Sequence, residues 1–118
     1  MNLIKLNKHG NNAAIKYHIL TEDKMKKAGF RKTSTGWYFF KPLDKRNRIS
    51  YNVSIPFDED GRIDILDEDF CQPYDYEYLL EENPNFSLAQ MIKAGAVYYT
   101  MLLQQRGILS GYTYGDYI

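Results

Sequence analysis

Between residues 49 and 55 apolar and polar side chains alternate strictly, Ile49, Tyr51, Val53 and Ile55 against Ser50, Asn52 and Ser54. A period of two belongs to a strand, because successive side chains point to opposite faces, and it predicts a strand over 48–55 with one buried and one wet face. Pro56 ends that strand, turn residues at 58–61 reverse it, and 62–66 returns with Ile63 and Ile65 inward and Asp64 outward. Upstream, the aromatic run at 37–41, closed by Pro42, predicts another strand, with 44–47 as a polar turn. Strands 37–41, 48–55 and 62–66 therefore make an antiparallel meander.

The period lengthens to that of a helix over 88–106. Leu88, Met91, Ile92, Gly95, Tyr98, Tyr99 and Leu102 make a wide apolar face, with Gln90, Lys93, Thr100 and Gln104 opposite. Ser87 with Gln90 reads as a capping box, Phe86 with Met91 as a hydrophobic staple, and Gly107 followed by Ile108 as a Schellman close against Leu103. A shorter helix is expected over 22–28. Thr21 is its N-cap, Glu22 and Asp23 sit at its positive end, Lys26 and Lys27 at its negative end, Leu20 and Met25 form its staple, and Gly29 is the left-handed residue beyond it. Pro73 suits a first helical turn and suggests a third helix over 74–82, although Glu81 and Glu82 oppose its dipole. Residues 3–6 read as a short strand, 13–20 as strand or helix, and the glycine- and tyrosine-bearing tail 107–118 as a returning strand or an ordered loop. The sum is a single α+β domain over 1–118: an antiparallel sheet of three to five strands packed against one long C-terminal helix, with a short N-terminal helix beside it.

Charge changes the picture more than composition does. The 118 residues carry 15 basic and 15 acidic side chains, yet the net charge of zero hides a polarised chain. Lysine and arginine dominate before Ile49, whereas residues 58–82 hold eleven acids with Arg62 as the one opposing cation. Cys71 is the one cysteine, so no intrachain disulfide forms and a reducing compartment is expected. The N-terminal stretch lacks the apolar core of a secretory signal, and the longest apolar run, 94–103, is too short to span a bilayer. A cytoplasmic protein with no membrane partner follows. Eleven Tyr, six Phe and Trp37 exceed what a core of this size needs, so part of this aromatic surface faces outward.

Catalytic and metal chemistry find little footing. Asp58, Asp60, Gly61, Asp64 and Asp67 match part of a calcium loop, but Pro56 stands at its first ligand position and strands flank it, so a hairpin turn is the better reading. Asp64, Asp67, Glu68 and Asp69 would make poor magnesium ligands, since strand alternation splays them. His9, His18 and Cys71 have no sequence partners that make a nucleophile and base, and no glycine-rich phosphate loop occurs. No catalytic residue, metal or cofactor is therefore expected, and the chain reads as a non-enzymatic interaction protein.

Its expected surface is Asp67, Glu68, Asp69, Tyr74, Asp75, Tyr76 and Tyr78, with Tyr112, Tyr114 and Tyr117 recurring in the tail. Tyrosine provides contact area at low rotamer cost, and the carboxylates suit a protein partner with a basic surface. Such a surface can also mimic nucleic acid and inhibit a nucleic-acid-binding enzyme. The alternative is a nucleic-acid-binding module in the basic aromatic segment 26–41, through Lys27, Arg31, Lys32, Trp37 and Lys41.

Gly29-Phe30, Trp37-Tyr38, the run from Asp64 to Tyr76 and the tail Gly115-Asp116-Tyr117-Ile118 resemble small uncharacterised proteins of phages and mobile elements in low-GC Gram-positive bacteria. The resemblance implies an accessory or inhibitory role and brings no site residues with it.

Overall fold

The alternating segment lies at the centre of a sheet. The computed structural model describes residues 4–6 and 15–113. In chain order the elements are β1 Ile4–Leu6, β2 Lys16–Tyr17, α1 Glu22–Lys27, β3 Arg31–Lys32, β4 Gly36–Asp44, β5 Ile49–Pro56, β6 Gly61–Asp67, β7 Gln72–Pro73, α2 Tyr76–Glu82, α3 Ser87–Gln105 and β8 Leu109–Ser110. The main sheet runs β1-β6-β5-β4-β3, and β7 pairs with β6 farther along the strand. Its meander is antiparallel, as expected, while β1 joins β6 in parallel at Ile4↔Gly61. The open segment 13–20 resolves, over its described part, into β2, which pairs with β8 as a separate ribbon. The expected residues Leu3, His9, Ala13, Ala14, Tyr114 and Tyr117, and the tail motif 115–118, lie outside the described residues.

Register places Trp37, Phe39, Val53, Ile55, Tyr51 and Ile63 on one buried face of the sheet, against which α3 packs at β4 and β5. Phe39, Tyr51 and Tyr99 pack as a ring cluster, with centroids 5.7 to 6.1 Å apart. The opposite face departs from expectation. Ser50 and Asn52 are buried rather than wet, because they are bonded to one another and roofed by neighbours: Asn52 Nδ2 donates to Ser50 Oγ at 3.0 Å, and the Tyr38 hydroxyl donates to Asn52 Oδ1. Pro42 does not end β4 either. Its strand continues to Asp44 through a bulge, which is tolerated because β3 covers β4 only at Trp37 and Tyr38 and leaves Pro42 on an edge.

The ends of α1 and α3 follow their residues, with one exception. Thr21 Oγ1 accepts from Lys24 N, and α1 closes in a Schellman motif, with Phe30 N donating to Met25 O at 3.0 Å across Gly29 at φ +103°. The same closure ends α3 at Gly107, where Ile108 N donates to Leu103 O at 3.0 Å. At its start, however, Ser87 and Gln90 form no capping box. The N-cap is Phe86, and the Gln90 side chain donates instead to Pro84 O at 2.7 Å. Arg106 then ties the end of α3 to that of α1 by donating to Ala28 O at 2.8 Å.

The face that α3 buries matches the expected one in part, since Ile92 is in the core and Leu88 and Tyr99 pack against it. Ala89, Ile92, Ala96, Thr100 and Leu103 point into the core, whereas Met91 is 47% exposed and Tyr98 61% exposed. Thr100 can be buried because its hydroxyl donates to Ala96 O at 2.9 Å and lies 2.8 Å from the Tyr51 hydroxyl. Among the described residues no helix is long and apolar enough to cross a membrane.

Candidate interaction surface

The acidic stretch divides into three pieces of different chemistry. Its first, the bend at 57–60 between β5 and β6, is the expected hairpin turn. Among the described residues no three His, Cys, Asp or Glu side chains are grouped to hold a metal ion.

The second piece is the reversal from β6 to β7. Asp67 Oδ1 accepts from Asp69 N at 3.2 Å, an Asx-type turn, and Cys71 at φ +51° brings the chain back so that Gln72 pairs with Asp67. The turn is held from below by Arg48. Its guanidinium meets Asp69 at 2.8 Å and Glu68 at 3.9 Å, and its carbonyl accepts from Glu68 N at 2.9 Å. Phe70, at the tip, is 73% exposed, the most exposed large apolar side chain described. The Cys71 thiol donates weakly to Glu68 O, and His18 Nε2 meets Ser110 Oγ at 2.8 Å across the β2–β8 ribbon, so each has a local structural contact.

The third piece is α2, which begins two residues later than expected. Pro73 belongs to β7, and Asp75 caps the helix by accepting from Tyr78 N at 3.2 Å. Tyr76 and Tyr78, two residues apart on the helix, face different directions, and Tyr74 lies before its first turn. Tyr76 is a core residue at 1% exposure, Tyr78 is 51% exposed, and Tyr74 is half-buried. The Tyr74 hydroxyl is enclosed and has no hydrogen-bond partner among the described residues. Burial raises its pKa above the ordinary tyrosine value, and the charges of Asp67 and Asp44 push it further the same way.

Between α2 and α3 lies an open groove of about 610 Å³, with Leu80, Pro84, Ala94, Val97 and Tyr98 as its apolar lining and Lys93 on one wall. Lys93, Ala94 and Tyr98 are the exposed part of the α3 wall.

No family model, curated protein or solved structure matches this chain. The surface is therefore interpreted from its own residues. Of the seven expected protein-binding residues, Asp69 and Tyr78 are exposed, Asp67, Glu68, Tyr74 and Asp75 are half-buried, and Tyr76 lies in the core. In the basic aromatic segment, Trp37 is buried at 5% exposure, Lys27 pairs with Asp23 at 3.1 Å, and Lys32 pairs with Glu22 at 3.2 Å. Lys41 lies over the Phe39 ring, and Arg31 is exposed on the edge strand. Phe70 and Arg48 were not legible as surface residues. A lone aromatic inside a run of acids was the available signal for Phe70; Arg48 acts through a register that no local pattern reveals.

Proposed function

We propose that this chain is a non-enzymatic, cytosolic interaction protein that engages a partner's basic surface through its acidic β6–β7 turn and α2. The observation that carries the reading is Phe70, a large apolar side chain held out in solvent on a turn of carboxylates that Arg48 and Asp67 keep in shape. Holding such a group in water has no folding benefit, whereas an aromatic anchor ringed by charge suits a protein interface. The resemblance to accessory proteins of mobile elements favours an inhibitory role, in which the carboxylates stand in for nucleic-acid phosphates. The nucleic-acid-binding alternative has less support, because Trp37 is enclosed and Lys27 and Lys32 are already paired.

The test exchanges Asp67, Asp69 and Asp75 for asparagine, separately from Phe70→Ser. Asparagine caps turns and helices about as well as aspartate, so the charge is removed while the backbone stays in place. Both variants are expected to lose capture of a basic protein from cell lysate. Undiminished capture by the triple variant would refute the reading.

A further inference from the structure

We propose that the α2–α3 groove binds a small anionic amphiphile, a medium-chain carboxylate whose charged end sits at Lys93. This use of the groove is independent of the acidic turn and adds to the interaction reading above. A trough of about 610 Å³ has the size of a site for one small molecule. Its walls are short. α2, with 7 residues, is about 10 Å long, and the α3 stripe from Gln90 to Tyr98 covers about 12 Å. An extended chain advances about 3.6 Å over three bonds, so about ten bonds fill that length. The walls are also fixed in advance. Gln90 Nε2 donates to Pro84 O at 2.7 Å where the chain passes from α2 to α3, and the Tyr98 ring packs edge-on against Tyr99 with centroids 5.2 Å apart. An alkyl chain therefore meets Leu80, Ala94 and Val97 without reordering them.

Charge then selects the headgroup. Lys93 is the one charged residue in the lining, and the acids of α2, Glu77, Glu81 and Glu82, do not contribute to it. Lys93 is exposed and has no ion pair among the described residues, whereas Lys26 and Lys27 on α1 meet Glu22 and Asp23. An ammonium group beside an apolar trough attracts a molecule with an apolar body and one negative end, and repels one whose end is cationic. The apolar walls supply affinity in proportion to the chain they cover, and Lys93 supplies the choice of sign.

The experiment titrates the isotope-labelled full chain with sodium decanoate at about 0.15 M salt and follows its amide NMR signals. Saturable shifts are expected at Leu80, Lys93, Ala94 and Val97. Decylammonium, with the same chain and the opposite charge, is expected to bind about threefold more weakly or worse, and octanoate to lose about two- to fourfold for each methylene removed. Lys93→Gln, at an exposed position, is expected to bring decanoate and decylammonium to within about twofold of each other. Ala94→Trp fills the trough and is expected to weaken decanoate by about tenfold or more, with far-UV circular dichroism confirming that the helices remain. Equal binding of the two amphiphiles by the natural chain, a preference that survives Lys93→Gln, or shifts spread over the surface outside the groove would overturn the proposal. So would a dimer in sedimentation that Ala94→Trp dissociates, which assigns the groove to a second copy, and so would binding to phosphatidylglycerol vesicles without any response to decanoate, which assigns it to a membrane surface.

Discussion

Tyr51 and Thr100 meet hydroxyl to hydroxyl at 2.8 Å in a region where both side chains are fully enclosed. Thr100 donates to Ala96 O, so Tyr51 donates to Thr100. Removing the acceptor by Thr100→Val strands the tyrosine hydroxyl in the core, which costs about 1–3 kcal/mol. Tyr51→Phe leaves Thr100 bonded to Ala96 and is expected to cost about 1 kcal/mol or less. Urea unfolding of the two variants measures the difference, and equal losses would contradict this assignment of donor and acceptor. Tyr74 is the opposite case. Its hydroxyl is enclosed without a partner, so Tyr74→Phe removes a group that the fold does not satisfy. That variant is expected to be as stable as the natural chain or more stable by up to about 1 kcal/mol, and to retain partner capture. A clear loss of stability would show that the hydroxyl is bonded.

Local chemistry settles an element's existence more readily than its orientation. The meander was legible because alternation has one structural meaning, and the Schellman ends of α1 and α3 because Gly29 and Gly107 follow strongly periodic segments. The direction in which α3 faces was legible only in part. Ile92 and Tyr99 turn inward as expected, but Met91 and Tyr98 stay outside while Ala96 and Thr100 are buried, since a helix packed closely over Phe39 and Tyr51 takes small side chains beneath it. Long-range partners decide such cases. Thr100 is polar by type and buried by its bonds to Tyr51 and Ala96, and Ser50 and Asn52 are hidden by one another and by Tyr38. The candidate surface was half legible for the same reason. The acids at 67–69 mark a turn whatever the fold, but of the three tyrosines grouped with them Tyr74 precedes α2, Tyr76 faces the core and Tyr78 faces solvent.

At the scale of the molecule, three tyrosines hold their protons more tightly in the folded chain. Burial is the first cause at Tyr38, Tyr51 and Tyr74, followed by Glu68 and Asp64 at Tyr38 and by Asp67 and Asp44 at Tyr74. The unfolded chain releases these protons near the ordinary tyrosine value of about 10, while the folded chain keeps them to higher pH. Their contribution is therefore fully present below that value and is lost as pH rises through the raised folded values. Urea unfolding between about pH 8 and about pH 11 is expected to show a plateau and then a fall, with tyrosinate absorbance from Tyr51 appearing only as the chain unfolds. Stability unchanged across that range would contradict it. The edge of the sheet bears on how whole molecules meet. From Phe39 onward no described strand pairs with the outer side of β4, and an unpaired strand is a template on which other chains can add in register. Pro42 offers no N–H to an arriving strand, and the bulge at Leu43 bends the ladder out of alignment. A proline that looks like a stop signal in the sequence thus acts between molecules, as a guard against fibre-like stacking when the protein is crowded.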